Sequence, residues 1–68
     1  MTNFQLPVST KNLEYLSEMM NQEALAAKKA QQYSQLFQDD QLKTLCWNLH
    51  DHHKARFDAA YQYLNQNQ

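Results

Sequence analysis

From Leu13 to Phe37 side chains that are small or apolar, Glu23 excepted, recur at steps that alternate strictly between three and four: Leu13, Leu16, Met20, Glu23, Ala27, Ala30, Ser34, Phe37. Only a helix places such a series on one line. Its mean period near 3.5 is the seam of a left-handed helical bundle. Met19, Ala26, Tyr33 and Leu36 widen the apolar face beside it, and Ala24, Ala26, Ala27 and Ala30 are strong helix formers that let a neighbouring helix come close. Gln38, Asp39 and Asp40 interrupt the pattern. A second line then runs Leu42, Leu45, Leu49, His53, Phe57, Ala60, Leu64, with Cys46 and Tyr61 flanking it. Ser9 or Thr10 supplies an N-cap for the first segment and Asp39 for the second.

Two helices are therefore expected, about 10–37 and about 40–64, about 42 Å and 37 Å long at 1.5 Å per residue. The short connection forces them antiparallel. Met1–Ser9 has no period and contains Pro7, so it reads as an extended arm that packs within its own subunit or on a partner. Asn65–Gln68 lacks apolar residues and is expected to fray. The fold class is all-α: a two-helix hairpin whose wide apolar faces call for a second copy, giving a homodimeric four-helix bundle.

Composition narrows the function. The chain has 68 residues, no glycine, one proline and one cysteine. Phosphate-cradling glycine loops and an internal disulfide are excluded, and a domain this small needs a partner, a metal or very regular packing. Six basic and seven acidic residues leave no clustered positive surface for nucleic acid. No apolar run approaches the roughly 20 residues of a membrane span. Met1–Pro7 lacks the form of a secretory signal, so a cytoplasmic location is expected, and the lone thiol fits a reducing compartment. Asn and Gln number 16, so the exterior is polar through amides more than through charge.

The polar residues in the seams carry the chemistry. Counted from a turn near Gln38–Asp39, Glu23 and His53 fall at the same height and should face each other near mid-helix. His50 lies one turn before His53, level with about Ala27. A carboxylate there needs a donor, a cation or a metal. One reading is a metal-free Glu23–His53 pair that fixes helix register. The other is a metal site built from Glu23, His50 and His53, whose nitrogen-rich donor set suits ions such as iron(II) or zinc. Cys46 is about 10 Å along the axis from His53, too far to share an ion with it, and reads as a small core residue. His52 and Asp51 point away from the seam, and Lys28 and Lys29 form a solvated face. Tyr15, Tyr33, Trp47, Tyr61 and Tyr63 read as core and interface rims. No serine lies near the central histidines, so no Ser-His-Asp arrangement is present.

Residues Tyr15 to Ala30, Tyr33, the start of the second helix from Asp39 to Leu45, His53 to Asp58, and Tyr61 to Leu64 together resemble a ferritin-like hairpin. The likeness is strongest to small spore-coat proteins of the Coat F type from endospore-forming bacteria, and it covers about residues 10–64. The resemblance implies a ferritin-like homodimeric four-helix bundle in the mother cell or the spore coat, with other coat proteins as further partners. It also implies a non-enzymatic, structural role without a cofactor. The superfamily's metal-binding Glu matches Glu23 and its His matches His53. The Glu of its Glu-x-x-His motif falls on His50, a departure that argues against oxidase or iron-storage activity.

Overall fold

The computed structural model describes residues 8–67. The arm expected over Met1–Ser9 lies outside the described residues except for Val8 and Ser9, as does Gln68 of the expected tail. Two helices make up the rest: α1, Thr10–Leu36, and α2, Asp40–Gln66. They pack against each other as a hairpin, and no strand occurs among the described residues.

Each helix begins where a side chain replaces the missing carbonyl partner of its first amides. Ser9 Oγ accepts from the Asn12 N–H at 3.1 Å, and Asp39 Oδ1 accepts from the Leu42 N–H at 3.0 Å. Phe37 closes α1 in an extended conformation, its N–H donating to the Tyr33 carbonyl. The reversal therefore occupies Phe37, Gln38 and Asp39 alone. No described residue has a positive φ, so the turn requires no glycine. α2 runs two residues past the expected Leu64. Asn67 caps it, its side-chain amide donating to the Tyr63 carbonyl at 2.8 Å.

On α1 the buried line is the one expected. Leu13, Leu16, Met20, Glu23, Ala27, Ala30, Ser34 and Phe37 are all buried or half-buried, while their neighbours are exposed except for Ala26. On α2 the expected line is half wrong. Leu42, Leu45 and Leu49 are 40%, 52% and 43% exposed, and the helix turns Cys46, His50, His53, Phe57, Ala60 and Leu64 inward instead. The reason is geometric. The series Leu45, Leu49, His53, Phe57 takes three steps of four, and each step of four rotates about 40° around a 3.6-residue helix, so it slides off the contact line. The series Cys46, His50, His53, Phe57, Ala60, Leu64 alternates four and three and stays on it.

Burial is deepest where small side chains meet in the half of the hairpin nearest the turn. Ala27, Ala30, Cys46 and Ser34 are the four buried residues among those described. Ser34 Oγ satisfies itself by donating to the Gln31 carbonyl at 2.5 Å. No large side chain is fully buried among the described residues, where each helix packs on one other.

The two faces of this slab differ. On each helix the residues one position before the buried line share a face. From α1 these are Tyr15, Met19, Gln22, Ala26, Lys29, Tyr33 and Leu36. From α2 they are Leu42, Leu45, Leu49, His52, Arg56, Ala59 and Tyr63. Two surface grooves confirm that both sets point the same way, one lined by Tyr15, Met19 and Tyr63, the other by Met19, Arg56 and Ala59. This face is apolar and aromatic at both ends. The opposite face carries Lys28, Gln31, Lys54 and Asp58 around a shallow groove. No described helix is long and apolar enough to cross a membrane.

Candidate functional site

Glu23 on α1 and His53 on α2 meet across the seam. The His53 Nδ1–H donates to Glu23 Oε1 at 2.6 Å, in the short range of charge-assisted bonds. The two side chains are 20% and 25% exposed, so the pair is shielded but reached by water from one side. Arg56, one turn beyond His53, holds Nη1 3.7 Å from the second carboxylate oxygen. Glu23 thus takes a strong bond from the seam and a weaker, half-exposed charge from the rim. Equal counting from the turn brings the acid and the imidazole together. Arg56 completes the group, and its i, i+3 spacing from His53 is the sequence signal for it.

His50 is also half-buried, but its Nδ1 lies 3.0 Å from Oδ1 of the exposed Asp51, and its ring stands edge-on to Trp47 with centroids 5.1 Å apart. It borders the groove on the polar face with Ala24, Ala27 and Phe57, at the height expected beside Ala27. Asp51 and His52 are exposed, and Cys46 is buried as a free thiol. The five large aromatics read as rims, Tyr15, Tyr33, Trp47, Tyr61 and Tyr63, are each about half exposed.

A metal centre needs three or more converging donors. Among the described residues no three His, Cys, Asp or Glu side chains converge in that way. Glu23 and His53 direct their facing atoms at each other through a proton, and His50 engages Asp51.

A notch opens directly beside the pair. Leu16, Met19, Met20, Ala59 and Ala60 form its apolar walls, Glu23 and Arg56 its polar edge, and it encloses about 500 Å³. The two consecutive alanines, Ala59 and Ala60, leave this space. It lies on the apolar face, so whatever covers that face also covers the Glu23–His53 pair. No family model, curated protein or solved structure matches this chain.

Proposed function

We propose that the hairpin is a non-enzymatic assembly protein that pairs with a second copy into a four-helix bundle. The observation that carries this reading is the apolar face. Tyr15, Met19, Tyr33, Leu42, Leu45, Leu49 and Tyr63 are each 40–58% exposed and share one side of the slab. Clusters of exposed apolar side chains like these two, one at each end of the face, mark association surfaces on small proteins. Four small buried residues among those described are a meagre core, and covering this face supplies further burial. The amide-rich remainder of the surface offers hydrogen-bonding groups for lateral contacts with other proteins. The ferritin-like resemblance gives the bundle its name, and the Coat F likeness adds a spore coat as its setting.

Light scattering on the eluting peak of a sizing column tests the reading. The expected mass is twice the 8.1 kDa protomer at micromolar concentration. The double substitution Leu45→Lys, Leu49→Lys is expected to yield a helical protein at the protomer mass. A natural chain that elutes as a stable monomer refutes the proposal.

The second reading, a metal-binding bundle, is favoured by one observation: Glu23 and His53 meet at mid-helix on the face that a second copy would cover. Two copies would then contribute two carboxylates and two imidazoles, with the His50 rings held by Asp51. Elemental analysis of untagged protein tests it. A stoichiometric transition metal that is lost in His53→Ala supports it, and no metal after reconstitution with iron or zinc ends it.

A further inference from the structure

We infer that the segment Phe4–Pro7 folds back along α1 of its own chain and seats Leu6 and Phe4 on the terminal half of the apolar face, with the Phe4 ring in the notch beside the Glu23–His53 pair. The inference goes beyond pairing. It gives one end of the face an occupant from the same chain and leaves the leucines near the turn to a second copy.

Residues 1–7 lie outside the described part of the chain, which begins at Val8. Ser9 is the N-cap of α1, so Val8 stands just before the cap and Leu13 is the fourth residue of the helix. Both are half-buried. Apolar residues at these two positions form a staple that fixes how the chain enters a helix. Ahead of the cap, Phe4, Leu6 and Val8 stand two residues apart. Pro7 holds Leu6 in the extended region, and alternate residues of an extended strand share one side. Phe4 and Leu6 therefore fall on the side of Val8, the side turned to the hairpin. Residues 1–7 carry no charged side chain, so seating them desolvates none.

Reach selects the place. An extended chain advances about 3.3 Å per residue, so Leu6 lies about 7 Å and Phe4 about 13 Å from Val8. Counted from Thr10 at 1.5 Å per residue, Tyr15 stands about 7.5 Å up α1 and Met19 about 13.5 Å. Leu6 thus comes level with the groove lined by Asn12, Tyr15 and Tyr63, which opens in the first turn of α1 where Val8 enters. Phe4 comes level with the notch at Met19 and Ala59, where about 500 Å³ beside two methionines receives an aromatic ring. At the same heights the opposite face presents Glu14, Ser17 and Asn21, which offer an apolar strand nothing to bury. The groove on that face starts at Ala24, about 21 Å from Thr10, and Leu49, Leu45 and Leu42 are farther still, all beyond Phe4.

Nuclear Overhauser contacts in the natural chain test the seating. With the methionine methyls labelled with carbon-13, the Phe4 ring, identified by its loss in Phe4→Leu, is expected to show contacts to Met19 and Met20. Their absence overturns the proposal. In a mixture of labelled and unlabelled chains, contacts seen only between chains place the segment on a second copy and overturn it as well. Light scattering on the same sample reads pairing separately, so a monomer that keeps these contacts refutes the pairing surface and supports the seating. As a second measurement, Phe4→Ser with Leu6→Ser, both outside the helices, is expected to lower the thermal midpoint by about 5 °C or more. An unchanged midpoint counts against the seating.

Discussion

Replacing Glu23 and His53 separately and together isolates what their bond contributes. At 2.6 Å it is charge-assisted, and bonds of that kind contribute about 1.5–3 kcal/mol. A fifth to a quarter of each side chain is open to water, so the lower end of the range applies. His53→Leu leaves the carboxylate with Arg56, 3.7 Å away and itself 57% exposed, as its remaining partner. Glu23→Leu leaves an imidazole N–H facing a methyl group. Each single variant is expected to lose about 1.5 kcal/mol, which for a domain of this size lowers Tm by about 6–12 °C. The double variant Glu23→Leu, His53→Leu removes both polar groups and keeps the volume filled, so its stability should return to within about 0.5 kcal/mol of the natural chain. The cycle then yields a coupling energy of about 3 kcal/mol. Urea unfolding followed by circular dichroism measures all four proteins, at one protomer concentration because association contributes to apparent stability. Additive single effects, with coupling below about 0.3 kcal/mol, would refute the claim that this bond ties the helices together.

Asp39→Ala removes the cap of α2 and is expected to cost about 1 kcal/mol in a thermal melt, with Asp39→Asn recovering most of it. Ser34 is only 4% exposed, so Ser34→Leu should overpack the contact and cost about 1–3 kcal/mol, whereas Ser34→Ala should be nearly silent in the same melt. Cys46 is buried, and its modification by a chromogenic disulfide reagent should wait for opening of the chain. Labelling at the rate of a free thiol in folded protein would contradict that placement.

The sequence was most informative where spacing was strict. α1 alternates three and four without a slip, and each of its seam residues is buried or half-buried. Counting equal distances from the turn was enough to bring Glu23 to His53. α2 was harder to read because two lines one residue apart compete for the contact. Leucines marked one, and a cysteine and two histidines marked the other. Hydropathy favours the leucines, but the hairpin buries the line whose period matches its partner helix. Ser34, a seam position by spacing, is the least exposed residue described. Small size, not apolarity, decides burial where two helices run closest. Arg56 acts from the rim, and its i, i+3 spacing from His53 was a weak signal because the same spacing also occurs for solvated charges.

The reversal at Phe37, Gln38 and Asp39 rests on side-chain chemistry and not on an unusual backbone shape. Any L-amino acid can therefore occupy Gln38 without steric penalty, and that site is free to vary or to accept an inserted tag. Asp39 has no such freedom. Without its carboxylate, nothing in the local sequence forbids a helical path from Thr10 straight through to Gln66, and the bend would depend on packing between the two arms. One acidic group thus marks where the second arm begins, while contact between the two arms keeps the chain folded back on itself.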